Sequence, residues 1–428
     1  MLNQLINKIK QLGREGLFHI FGSGVLAKVG GIISSVIVIR NLPKVSYGSF
    51  VDADNLYAYF AIFVGLGLTT AILQFCSERI SEDRRYSIYR YSLKIGMLGN
   101  MLLGVLILGL AALKYLSGSK EVGIFLAMMC LLPFFAYLDQ YFQMILRVRL
   151  NNTAFSHANM LYTVAHVGGN ILMTMLWGVP GLITSQYLAH AISAVYSGHI
   201  LKKEHFFAEM SASQARLDRK ERREYLSYGM ICTITNFTST VLVLLDVTCL
   251  GLILSDPAIL ADYKVAATIP SALIFVPKSL ITFFYPKLVR SFGDGKQQGT
   301  AQVFQIAKMY LLVNGFIYLC LALFAPLIIW ILFGQQYMNV IPVFHILSLN
   351  YLVYCARNLT GNVIAVLKKV RVNLMFSILS GLLNIGLNVA MIPVLGSMGA
   401  AIATLCVTIF ISGLNIMYLW IYIRRTPA

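Results

Sequence analysis

The chain has 428 residues, of which 58% are hydrophobic and only 12% charged, and its mean hydropathy is +0.74. Soluble domains carry about 25% charged residues, so this chain lacks the charge to coat a water-soluble globule. Its net charge of +17 would suggest nucleic acid in a soluble protein. No basic stripe with interleaved aromatics accompanies it, which excludes nucleic acid and leaves membrane loop bias as the source.

Residues 1–16 are polar and basic and run directly into an apolar stretch. They read as an amphipathic cytoplasmic lead-in rather than a cleaved signal. Apolar runs near the ~20 residues needed to cross hydrocarbon then recur. They predict about twelve transmembrane helices: 17–39, 50–73, 91–113, 122–145, 155–176, 180–201, 225–253, 264–285, 306–333, 341–366, 372–392 and 397–423. Pro133, Pro270, Pro277 and Pro326 fall inside these spans and predict kinks or breaks there.

The connections alternate in basic charge. With the N-terminus cytoplasmic, inside segments hold Lys8, Lys10, Arg14, Arg84, Arg85, Arg90, Arg147, Arg149 and the basic stretch from Lys202 to Arg223. Inside segments of the second half add Lys287, Arg290, Lys369, Arg371, Arg424 and Arg425, whereas outside segments hold only Arg40, Lys44, Lys114, Lys120 and Lys264. This bias predicts that both termini are cytoplasmic.

The longest polar stretch divides the spans six and six. The expected organisation is an N-terminal six-helix lobe at 1–203, a basic cytoplasmic linker at 204–223 and a C-terminal six-helix lobe at 224–428. The halves also echo each other. Asn170 is followed by Gly178 and Gly181, and Asn388 by Gly396 and Gly399, at identical spacing. An even number of spans per half makes the repeats parallel, with substrates expected between them. The fold class is therefore all-α membrane protein, two parallel six-helix bundles.

No phosphate-binding loop, metalloprotease or hydrolase motif is present, and Gly293-Asp294-Gly295-Lys296 lacks the phosphate-loop spacing. The seven cysteines are widely spaced in apolar runs and read as small buried hydrophobes rather than metal ligands. The expectation is no catalytic residue, no metal, no cofactor and no enzyme activity.

What stands out is charge at membrane depth: Lys28, Lys278 and Arg357. Each costs about 2.5–3.5 kcal/mol at a helix centre, so each is expected to face the bundle interior. A cavity gathering them would suit phosphate or another anion. Arg40, Asp52, Asp54, Asp139 and Asp246 are the candidate gating or ion-pairing groups. His166, His190 and His345 are intramembrane histidines, more often hydrogen-bonded packing than proton sites.

The spacing of Asn384, Asn388, Pro393, Gly396, Gly399, Ala403 and Thr404 resembles the ending of the polysaccharide transporter family, the Wzx-type lipid-linked oligosaccharide flippases. Arg40, Leu42, Tyr47 and Gly48 are similar to that family's first outer connection, with Pro43-Lys44 in place of the usual Gly-Pro. Phe333-Gly334, Tyr337, Tyr263, Ala266 and Tyr285-Pro286 fall where the family places short signatures. The resemblance implies two six-helix bundles, as in the multidrug exporters and the lipid II flippase, working by alternating access. It implies an undecaprenyl-pyrophosphate-linked oligosaccharide as cargo, the bacterial inner membrane as location, and polymerase and chain-length proteins as partners. It also implies pyrophosphate binding by cationic residues, with Lys28 and Lys278 matching by helix number. A cation-coupled multidrug exporter of the same fold is the alternative. Exporters of organic cations favour buried carboxylates, whereas this chain favours buried Lys and Arg.

Overall fold

A computed structural model describes residues 30–76, 80–367 and 369–425, and those residues are mostly helical with no strand among them. The chain forms two compact units. One takes residues up to Leu42 and Tyr59–Asn236, the other Pro43–Ala58 and Phe237–Ala428.

In chain order the first helices are α1 (Gly30–Asn41), α2 (Lys44–Ala61), α3 (Leu68–Cys76) and α4 (Glu82–Leu116). They are followed by α5 (Lys120–Met128), α6 (Leu132–Val148), α7 (Asn152–Trp177) and α8 (Val179–Lys203). A short α9 (Phe206–Ala212) precedes α10 (Arg219–Ile253). The remainder are α11 (Pro257–Leu273), α12 (Phe275–Gly293), α13 (Lys296–Leu323), α14 (Ala325–Phe333), α15 (Ile341–Val366), α16 (Val370–Leu395) and α17 (Ser397–Arg425).

Among the described residues, eight segments are long and apolar enough to cross a membrane, and Gly30–Asn41 and Leu244–Ile253 are shorter apolar stretches. At 26 and 25 residues, α7 and α8 are long enough to span but carry His157, His166, Asn170, His190 and several serines. The all-helical, multi-pass expectation is borne out. The helices also show why lipid is the solvent. Leu98, Met101, Leu102 and Val105 form an exposed apolar stripe on α4, while Gly96, Asn100, Leu103 and Ile107 on its other face are buried. An exposed apolar face beside a buried face with small and polar residues is the reverse of a soluble helix.

Three predicted spans are broken near proline. Pro133 sits in the first turn of α6 after the break that ends α5, and Pro326 opens α14. Pro277 lies in the first turn of α12, just after the break at Ile274. Proline is tolerated in a first turn because no intrahelical partner awaits its missing N–H. The span expected over 50–73 is not continuous. Gly65, Leu66 and Gly67 take φ of +66°, +50° and +69°, which ends α2 and restarts the chain as α3. The Gly65 N–H donates to Asn100 Oδ1 at 3.3 Å, replacing a bond that the helix loses there. The expected start at residue 264 is also corrected, to Pro257. The Asp256 side chain accepts from the Ala258 N–H and Pro257 follows it, a capping arrangement that starts a helix.

The N-terminal unit has a tyrosine-rich core. Tyr137 donates to Ser92 O, Tyr141 to Tyr89 O and Tyr225 to Leu68 O, so each large ring is buried with its hydroxyl satisfied. The polar stretch expected as a linker contains α9, whose Phe206 is fully buried against Tyr86 and Tyr89. Arg90 holds the carbonyls of Met210 and Ser213, and Arg149 reaches Glu204 and Glu209. The C-terminal unit packs Ile281, Leu288, Ile306, Tyr310, Tyr351 and Cys355. Within it, Tyr310 donates to Asn358 Oδ1 and Tyr351 to Asn314 Oδ1.

The repeated glycine spacing is a repeated structure. Gly178 joins α7 to α8 with φ 63° and ψ −137°, and Gly396 joins α16 to α17 with φ 58° and ψ −134°. This region is open in practice only to glycine.

Candidate functional site

The C-terminal unit contains a polar cavity of about 650 Å³. Three helices line it with residues spaced to share one face. These are Asn350, Tyr354, Arg357 and Asn358 on α15, Asn373, Ser377, Ser380 and Asn384 on α16, and Thr404, Thr408 and Asn415 on α17. Steps of three and four residues keep a helical stripe on one side. Polar stripes in apolar helices cannot face lipid without leaving donors and acceptors unmet, so the sequence itself drives these faces together. Lys264 and Ser271 of α11 and Asp246 of α10 complete the polar lining.

Arg357 is the cation of this cavity that carries most weight. Among the described residues no carboxylate lies within ion-pair distance of its guanidinium. Lys264 is exposed at the same cavity. The amide groups are only partly used. Asn373 Nδ2 donates to Gly361 O at 2.8 Å and Asn362 Nδ2 to Asn358 O at 2.7 Å. The buried Oδ1 atoms of Asn350 and Asn415 accept nothing from the described residues. The cavity thus combines fixed positive charge with open acceptors.

Asp246 sits at one side of the cavity in a cage of neutral donors. Tyr263 Oη and Thr404 Oγ1 donate to its Oδ2 at 2.6 and 2.5 Å. Asn384 and Asn388 donate their Nδ2 groups to its Oδ1 at 3.1 and 3.0 Å. Four hydrogen bonds stabilise a carboxylate in place of water, so Asp246 is held by neutral groups rather than by a buried cation. Asn388 belongs to the Asn-Gly-Gly repeat. Its counterpart Asn170 accepts from Ser185 Oγ.

The other residues singled out in sequence are dispersed. Lys28 lies outside the described residues. Lys278 is exposed in the first turn of α12 and is not part of the cavity lining. Arg40 is exposed at the end of α1. Asp52 is buried on α2 beside Gly251, and Asp54 lies near Lys264. The ion pair of this region is Lys44 with Asp262, at 2.6 Å, with Lys44 also over the Tyr337 ring. Asp139 pairs with His190 in the N-terminal unit. His166 lies in the same cluster, stacked on Tyr162. Sequence reasoning missed Lys264 and the three stripes. The Asp256-Pro257 cap would have placed Lys264 in the second turn of its helix, and the Asn373-Ser377-Ser380-Asn384 spacing was readable as a wet face.

The polysaccharide biosynthesis protein family model matches residues 14–292. The chain belongs to this family. The earlier resemblance to polysaccharide transporters is borne out at that level. A curated relative, an uncharacterized membrane protein of Methanocaldococcus jannaschii, is 21% identical over 407 residues, covering 90% of this chain and 80% of the relative. Solved structures share the fold at low identity. An inward-facing multidrug resistance MATE family transporter of the MOP superfamily superposes with a TM-score of 0.76 at 14% identity, covering 94% of this chain and 96% of that one. The lipid II flippase MurJ in an inward closed conformation gives 0.70 at 13%, covering 94% and 87%. A MOP superfamily transporter from Pyrococcus furiosus, described as having a binding pocket of reversed polarity, gives 0.60 at 13%, covering 94% and 93%. The chain therefore has the membrane fold of the MOP-superfamily transporters and a polysaccharide-biosynthesis family sequence.

Proposed function

We propose that this protein is a flippase. Its cargo is an oligosaccharide repeat unit of O-antigen, capsule or exopolysaccharide, linked to undecaprenyl pyrophosphate. It moves that unit from the cytoplasmic to the outer leaflet of a bacterial inner membrane by alternating access, with both termini cytoplasmic. Polymerase and chain-length proteins of the same pathway are its expected partners.

The observation that carries this reading is Arg357, a guanidinium with no carboxylate partner among the described residues, in a cavity lined by amides and hydroxyls. Guanidinium matches phosphate oxygens in a bidentate fork. Asparagine, serine and threonine supply the donors and acceptors that sugar hydroxyls need. Family membership and the fold shared with a lipid II flippase support the same cargo class. The multidrug alternative is less well served, because the one lining carboxylate, Asp246, is engaged by four neutral donors, whereas Arg357 has no carboxylate within ion-pair distance among the described residues. An organic cation would meet Arg357 without a free carboxylate to hold it.

The test is delivery of lipid-linked oligosaccharide to the outer leaflet, read by a lectin on spheroplasts at matched protein level. Arg357→Ala is expected to cut delivery about tenfold or more, as loss of a charge-assisted contact of ~1.5–3 kcal/mol implies, and Arg357→Lys to recover part of it. Lys28→Ala and Lys278→Ala in the same assay ask whether those cations also contact the headgroup. Normal delivery by Arg357→Ala, together with increased sensitivity to cationic dyes, would replace the flippase reading with the exporter.

A further inference from the structure

The N-terminal unit holds a polar cluster of its own inside its helices. Asp139 on α6 is buried, with 2% of its surface exposed. Its Oδ1 accepts from Ser193 Oγ at 2.6 Å and from Gln143 Nε2 at 2.7 Å. Its Oδ2 lies 3.1 Å from His190 Nδ1. Among the described residues, the only cationic group that reaches this carboxylate is the His190 imidazole.

The surroundings are known from each side. From α7, Tyr162 and His166 face the pair. The Tyr162 ring packs against both imidazoles, 5.6 Å from His166 and 4.8 Å from His190 between centroids. From α8, Tyr187 lies one turn before His190 and is tied to the α5–α6 corner through Met128 O and Leu131 N, beside Cys130. The helix α4 packs on the opposite side of α6, where Tyr137 and Tyr141 bond to Ser92 O and Tyr89 O. Residue 139 is about 200° around the helix from residue 137. The described part of α1 carries no titratable side chain before Arg40.

We infer that Asp139 and His190 form a proton-binding site within the membrane, flanked by the rings of Tyr162 and His166. With a neutral imidazole the site holds one uncompensated negative charge in a poorly polarisable setting, which is costly. One proton removes that charge. The imidazole keeps its Nδ1 proton on Asp139 Oδ2 and takes the incoming proton from water on Nε2. The O–H bond of the donating hydronium breaks as the Nε2–H bond forms, leaving water, and release reverses the step. Access is through the histidine, whose side chain is 17% exposed against 3% for the aspartate. Ser193 and Gln143 hold the carboxylate in place in both states. The site joins α6 to α8, so its change of charge acts on the packing of those two helices. On the transporter reading above, the proton is then a coupling ion. Proton binding itself does not depend on what cargo is moved.

The experiment uses the purified full-length chain in detergent, without glycan. Proton uptake is measured in a pH jump from alkaline to mildly acidic solution, and protonated carboxyl groups are followed by infrared difference spectroscopy. The wild type is expected to take up one proton more per chain than Asp139→Asn, with no new carboxylic acid band. In His190→Gln the proton has no imidazole to occupy, so a carboxylic acid band is expected, and it is expected to vanish in the His190→Gln, Asp139→Asn double variant. Equal uptake by wild type and Asp139→Asn would overturn the inference. If Asp139→Asn does not fold, the His190→Gln spectrum decides. Absence of the acid band there, across the jump, overturns it equally. Because no cargo enters the assay, its failure leaves the flippase reading standing, and failure of glycan delivery leaves the proton site standing.

Discussion

Gly178 and Gly396 hold nearly the same backbone conformation, φ 63° and ψ −137° against φ 58° and ψ −134°, at the tips of two helical hairpins. Three residues on, Gly181 and Gly399 pack against the preceding helix. A Cβ on Gly181 would lie 1.9 Å from Met173 O, and one on Gly399 would lie 2.5 Å from Met391 O. The two hairpins are one solution used twice. Gly178→Ala and Gly396→Ala should each cost about 1–3 kcal/mol from strain. Gly181→Ala should cost at least as much, because its obstacle is backbone. Gly386→Ala, where nothing lies within 4 Å, is the neutral control. Thermal unfolding in detergent checks the ranking, and equal midpoints for Gly181→Ala and Gly386→Ala would refute it.

Asp246 receives four side-chain hydrogen bonds within the C-terminal unit. Asp246→Ala strands those donors. The expected loss is about 2–3 kcal/mol, since water from the cavity replaces part of the bonding. Asp246→Asn should lose less, because one acceptor oxygen remains. Melting curves that place Asp246→Ala level with the wild type would show that the cage contributes nothing to stability.

Glu209 of α9 bonds to the Tyr86 hydroxyl and to Arg149. These two contacts, the tyrosine first, hold its carboxyl below the usual carboxylate range. A group with a lowered folded value stabilises the fold above its unfolded value, near ~4.3, and loses that contribution as pH falls through the folded one. Glu209→Gln should therefore melt below the wild type near neutral pH, and the gap should close in strong acid. A gap that stays constant across the acid range would dissociate α9 docking from this carboxylate.

The break between α2 and α3 depends on residues that can take positive φ. Gly67 has φ +69°, and a Cβ there would lie 2.0 Å from Gly229 O. Gly67→Ala is expected to be among the most damaging glycine replacements, lowering the amount of folded protein recovered from membranes. Gly109→Ala, on the open face of α4, should be neutral or slightly stabilising by about 0.5–1 kcal/mol. Normal recovery of Gly67→Ala would mean that the break can be rebuilt without glycine.

Much of this was legible in one dimension. Apolar run length marked spanning segments, because hydrocarbon thickness is a fixed ruler. Pro133, Pro277 and Pro326 marked three interruptions, because proline lacks the N–H that a helix interior uses, whereas Pro270 lies inside α11 without ending it. The Asn-Gly-Gly spacing marked the two hairpins. The Gly65–Gly67 break was not legible, since Leu66 in a left-handed conformation has no sequence signature. The candidate site was legible only in part. Arg357 was found by depth, but Lys264 was placed in a connection because its helix start was misread at Asp256-Pro257.

The sequence by itself determined the solvent, the helical class and the repeated hairpin, because each follows from local composition and spacing. Tertiary structure alone decided which polar groups meet. Asp139 found His190 across two helices, and Asp246 found Asn384, Asn388, Tyr263 and Thr404 on three others. A buried charge must be compensated within a few ångströms, and that distance is set by packing between helices far apart in sequence. For the same reason Arg357 lines the cavity of the C-terminal unit whereas Lys278, equally deep by count, lies outside that lining.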